Sequence, residues 1–444
     1  MTQQSASPGV RDLLRIPDFR RLYLAQAVSD IGDGMTYLAL FLLVMSLSSS
    51  TALIALVSIL VAVPPVTIGL FAGAWADRSD RRRIMIASDT LRAGIVLALV
   101  PAAILGSVPL VLALAFAQSV VGTFFSPARG ALVPKTIPES GFLAASSLSQ
   151  ATRMVASVVG ATVTGALAAV AGIEWPVFIV DAATFAISVL LVARVTPSLG
   201  RPDAAAAAQI RESGMGRAVR DGLGVIARSG PLIAAISGVT VTMLGVGAIN
   251  VLFVPFLVRE LGGSPAWAGP MEAAQTTSMV IAGALMAVLA ARLRPQAILV
   301  GSLVGIGVCI ALLGASPTPL AMLVISFAVG WFVMPLQAVT MTIVAQSTTD
   351  ATRGRVGGTL NAVTQTASIA SMALAGIFAD IIGMRVVFFV GGGIAMLAAV
   401  VAWALFRWTP AAAEAASEAQ PPSPDSETGG AASLPHPPVG VAPG

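Results

Sequence analysis

The sequence has little charge, a single cysteine, a single histidine and a single lysine. Charged residues make up 10% of its 444 residues, whereas a soluble domain carries about 25%. Charge this sparse does not cover the surface of a 44.9 kDa globule, which excludes a soluble enzyme, a disordered scaffold and a nucleic-acid module. Cys309 alone cannot form an intramolecular disulfide framework or a multi-cysteine metal site. Because His436 lies in the tail, we also expect no histidine-based metal or catalytic centre.

Long apolar segments dominate the chain instead. Apolar residues make up 56% of it, and the mean hydropathy is +0.89. A helix needs about 20 residues to cross the hydrocarbon of a bilayer, where only helices and closed barrels satisfy the backbone. Twelve such segments occur, at approximately 22–46, 52–76, 84–106, 108–126, 146–171, 175–193, 232–257, 269–291, 297–315, 320–344, 358–380 and 385–407. We therefore predict an all-α membrane protein with twelve transmembrane helices.

The placement of the arginines predicts the orientation. With the N-terminus in the cytoplasm, 21 of the 25 basic residues fall on the cytoplasmic side, and only Arg259 and Arg385 fall outside. Cytoplasmic loops carry such an excess of arginine and lysine. We predict a multi-pass protein of a bacterial inner membrane with both termini in the cytoplasm. The high pI then reflects topology, and no nucleic-acid partner is expected.

The longest internal loop divides the spans into two sets of six. We predict an N-terminal arm (1–21), a first half (22–193), a cytoplasmic linker (194–231), a second half (232–407) and a tail (408–444). A weak internal repeat, in which 172–178 resembles 383–389, supports this division. Residues 216–228 of the linker are typical of a short basic amphipathic helix at the membrane surface. The Pro-, Ala-, Ser- and Glu-rich tail is predicted to be disordered.

A charged turn follows the second span. Gly73 and Asp77-Arg78 precede Asp80 and the arginines at 81–83. This segment resembles the signature loop of the major facilitator superfamily, Gly-x-x-x-Asp-Arg-x-Gly-Arg-Arg, with Asp80 in place of a glycine. The resemblance implies the major facilitator fold of two six-helix halves, with a cytoplasmic charge cluster that latches the halves when the transporter faces outward; alternatively, the arginines only fix topology. The predicted gate comprises Gly73, Asp77, Arg78, Arg81, Arg82, Asp89, Arg92 and Arg153.

Three further stretches are similar to those of a subgroup of that superfamily. They are the segment 125–134 with its Ser-Pro-Ala-Arg sequence, the segment 181–185, and the segment 353–357. The subgroup is that of the enterobactin-exporter-like and macrolide-efflux-like drug:proton antiporters. In span five the chain keeps Gly160 and Gly165 of the pattern Gly-Pro-x-x-Gly-Gly but lacks its proline. The resemblance implies efflux driven by protons, and the two glycines favour close helix packing.

Carboxylates inside the spans are the candidates for proton coupling, because charge in lipid is costly. Asp30 and Asp33 are three residues apart on one helix face, and Asp33 lies near the predicted midplane. Two close carboxylates in low dielectric do not both carry charge easily, so one is expected to bind and release a proton. The alternative is that they stabilise a local helix break. Glu272 is either a second proton site or an interfacial residue, and Asp181 is interpreted as structural.

A set of polar and aromatic residues defines the predicted substrate cavity. Its members lie on spans that line the central cavity in this superfamily, and they predict a roomy, weakly polar pocket. The alternative is that the amides hold helices together. The set consists of Tyr37, Gln118, Asn250, Gln275, Trp331, Gln337, Asn361 and Gln365.

These features together predict a secondary transporter that exports hydrophobic or cationic drugs or secondary metabolites, coupled to protons, by alternating access. A siderophore or natural-product exporter, or an importer, is the alternative within transport, and a non-transporting membrane sensor is the alternative from another class. We expect no enzyme activity, because no nucleophile–base pair or phosphate loop occurs. We expect no cofactor or metal, and we expect a monomer whose partners are the bilayer, a small organic substrate and protons.

Overall fold

The computed structural model describes residues 8–171, 175–201, 224–227, 229–289 and 292–418, and within them it contains helices and no strand. The first half of the chain forms α1 (Val10–Arg15), α2 (Pro17–Leu47), α3 (Thr51–Thr67), α4 (Gly69–Arg78), α5 (Arg81–Ile104), α6 (Val108–Leu132), α7 (Phe142–Ala171) and α8 (Trp175–Ala193). The second half forms α9 (Gly230–Pro255), α10 (Ala268–Leu289), α11 (Pro295–Ala315), α12 (Pro319–Gln346), α13 (Asp350–Ile382) and α14 (Met384–Glu418).

A helix coincides with every predicted span, so the all-α membrane fold is confirmed. Among the described residues, 10 helical segments are long and apolar enough to cross a membrane, or 11 when α3 and α4 count as one span. The helix α10, at the eighth predicted span, is not part of that count, and the structure is consistent with twelve spans. Several helices extend past the predicted spans; α14, for example, continues beyond 407 to Glu418.

Local sequence signals set the helix ends. Proline occupies the first position of α2, α11 and α12, where its missing N–H costs nothing. Asp80 caps α5 by accepting a hydrogen bond from the backbone N–H of Arg83 at 3.1 Å. Gly383, with φ of 87°, is the single residue between α13 and α14, and glycine adopts this left-handed backbone at no steric cost. This turn lets two long spans follow each other directly.

The second span is bent. Its two parts, α3 and α4, meet at an angle of 51°. Pro64 and Pro65 lie in the last turn of α3, where each lacks an amide hydrogen and crowds the preceding turn. Prolines within a helix cause such kinks, and the break lies at Ile68, directly after this turn.

The helices pack as two groups. In the first group, α2 packs on α7 and α8, and α5 packs on α6 and α8. In the second group, α9 packs on α13 and α14, while α11 packs on α12 and α14. Each group buries its own apolar core, with Phe178 and Phe185 in the first and the edge-to-face pair Phe256 and Phe388 in the second. The groups meet where α3 contacts α13 and α7 contacts α10.

Two predictions fall mostly on residues that lie outside the described ranges. Of the amphipathic helix predicted at 216–228, only 224–227 are described, and they are helical. Of the tail predicted at 408–444, the first part belongs to α14, and 419–444 lie outside the described residues.

Candidate functional site: a central cavity beside a buried ionic network

Two ends of the bundle are distinguished below. The basic end is the one at which Arg21 donates to the carbonyl of Arg194 and Arg82 donates to the carbonyls of Val192 and Ala193. The opposite end, called the distal end, contains the turn between α2 and α3. Because the helices run alternately up and down, α9 and α13 begin at the basic end and finish at the distal end.

A cavity of about 770 Å³ lies between the two groups of helices. Most of its wall is apolar, with Phe41 from the first group and Met243 and Phe253 from the second. The polar side chains in the wall are few and mostly uncharged, and they come mainly from the second group. They are Tyr37, Ser157, Asn250, Glu272, Gln275, Ser326, Gln337, Thr340, Asn361 and Thr364.

Five of the eight predicted cavity residues therefore line this cavity: Tyr37, Asn250, Gln275, Gln337 and Asn361. Glu272 lines it as well, and its carboxylate accepts a hydrogen bond of 2.7 Å from Ser157 across the two groups. Glu272 is thus neither an isolated interfacial residue nor distant from the cavity. Whether it carries a proton stays a prediction.

The other three predicted cavity residues are absent from the cavity wall, and helix geometry explains one of them. Val329 and Val333 line the cavity, so Trp331, about 200° around the helix from Val329, points away and is 38% exposed. Gln365 is exposed and is absent from the cavity wall, although Asn361, one turn earlier on the same helix, and the neighbouring Thr364 both line it. Gln118 is buried on α6, which contributes no residue to the cavity wall. These placements correct the assignment of Gln118, Trp331 and Gln365 to the cavity.

The distal end of the cavity is closed by polar contacts between the groups. Asp380, near the end of α13, accepts hydrogen bonds from the backbone N–H groups of Thr51 at 2.8 Å and Ala52 at 3.2 Å, and from the hydroxyl of Ser50 at 3.0 Å. Arg259 donates to the carbonyls of Met45, Ser48 and Ser49 at the end of α2. An anion thus meets the start of α3 and a cation the end of α2, both favourable for the helix dipoles.

Small residues bring the groups together just inside these contacts. Gly165 of α7 lies against the backbone of Pro265, and Gly269 of α10 lies against Thr162. A side chain at either glycine would collide with its neighbour. Within the first group, Gly160 packs against the backbone of Gly34, as the glycine pattern in span five predicts. The lining of the cavity runs from Ala268 at the start of α10, near the distal end, to Gly357 near the start of α13, so the cavity reaches from the distal end toward the basic end.

A buried ionic network lies beside the cavity in the first group. Arg92 of α5 donates a hydrogen bond to Asp33 of α2 and lies 3.7 Å from Asp89. Asp89 also accepts a hydrogen bond of 2.5 Å from Ser188 of α8, and the guanidinium of Arg92 lies 4.2 Å from the ring centre of Phe185. Asp89 and Arg92, both members of the predicted gate, thus form an ion pair, and Arg92 has Asp33 as an additional hydrogen-bond partner.

The exposure of the network is uneven. The side chain of Asp89 is fully enclosed and that of Arg92 is 8% exposed, whereas that of Asp33 is 42% exposed. The next residue, Gly34, lines the cavity. Asp33 is therefore the most exposed member of the network and the sequence neighbour of a cavity residue, whereas Asp89 is the member held inside the protein.

Two more carboxylates in the first group have their own partners. Asp30 accepts a hydrogen bond of 3.0 Å from Gln26, which in turn accepts one from Arg129. Asp30 and Asp33 were predicted to act as a pair, but the structure gives each its own cationic or amide partner. Asp181 is fully buried and accepts hydrogen bonds from Thr36 at 2.5 Å and Thr184 at 3.0 Å.

Asp181 lies close to the Arg92 network. Thr36 is one turn from Asp33 on α2, and Phe185, which contacts Arg92, is one turn from Asp181 on α8. The sequence did not identify Arg129 and Gln26 as neighbours of Asp30. Arg129 was interpreted as a residue of a cytoplasmic loop. It also missed Asp380, although an ionisable residue within a span is a functional candidate.

The remaining predicted gate residues lie at the basic end, or on α7, and contact their own group. Asp77 lies 4.0 Å from Arg81, Arg82 donates to α8, and Arg153 donates to Gln150 of its own helix at 2.5 Å. Arg78 is exposed at the end of α4. A Cβ atom at Gly73 would meet no described atom of another helix within 4 Å, so Gly73 is not a close helix contact in this conformation.

Known proteins similar to this chain are membrane transporters. The family described as transmembrane secretion effector, of the major facilitator superfamily, matches residues 12–429. Macrolide efflux protein A of Streptococcus pyogenes is 24% identical over 86% of this chain and 94% of its own length. Enterobactin exporter EntS of Shigella boydii is 26% identical over 85% of this chain and 88% of its own. The uncharacterized transporter YkuC of Bacillus subtilis is 30% identical, but this match covers only 41% of the chain and 42% of YkuC.

The fold is shared with solved transporters as well. The crystal structure of the nucleoside transporter NupG matches with a TM-score of 0.70 at 14% identity, over 87% of this chain and 98% of NupG. This likeness concerns the fold alone. The chain therefore belongs to the transmembrane secretion effector family of the major facilitator superfamily, a family of multi-pass membrane transporters.

Proposed function

We propose that the protein exports hydrophobic or cationic organic molecules from the cytoplasm in exchange for protons, as a monomer in a bacterial inner membrane. The distribution of arginines supports an orientation with the basic end and both termini in the cytoplasm. In that orientation the closed distal end faces outward and the cavity extends toward the cytoplasm. An exporter loads its substrate in this state.

The cavity wall supports the substrate class. Sugars need a dense set of hydrogen-bonding groups, whereas this wall offers Asn250, Gln337 and Asn361 within a mainly apolar surface. Glu272 is its one acidic side chain among the described residues, which favours cationic over anionic molecules. The names of the relatives, a macrolide efflux protein and an enterobactin exporter, support the export of bulky natural products.

The observation that carries proton coupling is the ion pair between Asp33 and Arg92 at the edge of the cavity. When Asp33 takes up a proton, its attraction to Arg92 is lost. Asp89 still lies 3.7 Å from Arg92, so the guanidinium does not become an unpaired buried charge. Protonation of Asp33 therefore leaves Arg92 paired, and it removes the ion pair that joins α2 to α5.

Alternating access follows from the distribution of contacts between the two halves, 22–193 and 232–407. Opening toward the outside requires Asp380 and Arg259 to leave the turn between α2 and α3. The loss is compensated when Asp77 and the arginines at 81–83 contact the second half at the cytoplasmic face. Protons and substrate would bias opposite states of this equilibrium.

Everted membrane vesicles provide the test. An imposed proton gradient should drive the uptake of at least one compound from a panel of lipophilic cations, macrolides and a catecholate siderophore, and a protonophore should stop it. Vesicles without the protein serve as the control. The proposal fails if no compound in the panel moves, or if movement is the same with and without the gradient.

A further inference from the structure

A second cavity lies far from the substrate site, between α11 and α14 at the basic end. Its volume is about 800 Å³. Arg294, the residue that caps the start of α11, and Arg407, near the end of the last span, both line it. Trp403 and Phe406 form the rest of the α14 side, and Gln296 lies on the α11 side. Transport across the central cavity makes no use of this second cavity.

The charge of this cavity is entirely positive among its lining residues. Within the described part of the chain, neither Arg294 nor Arg407 has a carboxylate within 4.0 Å. The guanidinium of Arg407 lies 4.2 Å from the ring centre of Trp403, which fixes its position while its N–H groups stay available to an anion. The start of the 21-residue helix α11 adds the positive end of a helix dipole.

The depth of the cavity indicates the kind of anion. The spans of α11 and α14 begin at Pro295 and finish at Arg407, so the two arginines lie where hydrocarbon gives way to headgroups. One turn further in, Val300 and Gly301 face Trp403 and present an apolar surface. A ligand that satisfies both parts carries a negative charge next to an apolar chain.

We propose that this cavity binds one anionic phospholipid, with its phosphate between Arg294 and Arg407 and an acyl chain along the apolar part. Basic pockets between transmembrane helices bind anionic headgroups in this way. Both helices belong to the second group, so the lipid connects α11 to α14 without touching the substrate cavity or the Arg92 network. The binding is independent of whether the protein transports protons.

Native mass spectrometry of the full chain, released from membranes that contain phosphatidylglycerol and phosphatidylcholine, tests the proposal. Wild-type protein should retain one phosphatidylglycerol. The variant R294Q/R407Q should bind it about thirtyfold more weakly, because each arginine contributes about a factor of five near an anionic surface. The control R11Q/R15Q removes the same charge from exposed residues of α1 and should retain the lipid.

Two further arms distinguish the source of the anion and guard against a folding defect. R294K/R407K keeps the charge and should retain the lipid more tightly than R294Q/R407Q. Millimolar inorganic phosphate should not displace the lipid, because phosphate lacks the acyl chain. Equal retention by R294Q/R407Q and wild type, equal retention of phosphatidylcholine, or displacement by phosphate would each overturn the proposal.

Discussion

The two halves of the transporter treat charge differently. The first half encloses Asp89, Arg92 and Asp181 within its helices and leaves Asp33, next to the cavity residue Gly34, partly exposed. The second half contributes most of the cavity wall, yet its polar groups there are amides and hydroxyls with one carboxylate, Glu272. An enclosed charge is expensive in a membrane, whereas an amide that faces a cavity costs little. Under the proposed mechanism, energy coupling belongs to the first half and most of the substrate recognition to the second.

Arg92→Gln should have the largest effect on stability, because it removes the cation that contacts both Asp33 and the fully buried Asp89. Leaving a buried charge without its partner costs about 3 kcal/mol, so we expect the melting temperature in detergent to fall by several degrees. The exposed Arg83→Gln, whose side chain is 84% exposed, is the control and should leave it nearly unchanged. Equal melting temperatures for the two variants would show that the network does not hold the first half together.

Asp380→Asn should have the next largest effect, on the equilibrium between the two open states. The variant loses the negative charge at the start of α3, an interaction worth about 1 kcal/mol. We expect a cysteine at Phe41, in the cavity wall, to react about fivefold faster with a membrane-impermeant thiol reagent added on the distal side. Cys309 is buried and should not interfere.

Glu260→Gln is the matched control for the distal contacts that Asp380 makes with the start of α3. Glu260 lies at the same end and in the same group, but its partner is Arg385, 3.7 Å away within the second half. In the Glu260→Gln variant, the cysteine at Phe41 should react with the thiol reagent at the wild-type rate. Unchanged labelling of Asp380→Asn would mean that the contacts at the turn between α2 and α3 do not keep the distal end closed.

Asn361→Ala should have a smaller effect, confined to substrate binding. A lost hydrogen bond costs about 1 kcal/mol, so the apparent KM should rise about fivefold at an unchanged dependence on the proton gradient. Gln365→Ala, one turn further along α13 and outside the cavity wall, should leave KM as it is. The reverse result would place Gln365 in the pathway and remove Asn361 from it.

The sequence was sufficient to predict the helices and much of the site. Apolar length and proline positions place the spans, and Gln337 and Asn361 were found because amide side chains are rare within these apolar spans. Periodicity alone does not say which face of a span meets the centre, which is why Trp331 was misplaced. The sequence also did not predict that Arg92 is the partner of Asp33, because the two residues lie on different helices and are 59 positions apart along the chain.

The contacts of Arg259 and Asp380 at the distal end were likewise not predictable from the sequence. Arg259 and Asp380 each follow from the sequence as charged residues near a span end, but their shared target is a turn in the other half. The packing of α3 against α13 brings the side chain of Asp380 to the start of α3. Contacts between distant segments of this kind leave no periodic signal in either segment.

Asp33→Asn tests the central claim most directly, when two transport modes are measured on the same vesicles. Uphill transport driven by a proton gradient requires a group that binds and releases a proton, whereas exchange of labelled for unlabelled substrate requires only the cavity and its movements. We predict that Asp33→Asn loses uphill transport and keeps exchange. Asp30→Asn should retain more activity in each mode than the uphill activity that Asp33→Asn retains. Undiminished uphill transport by Asp33→Asn would contradict the assignment of proton coupling to this carboxylate.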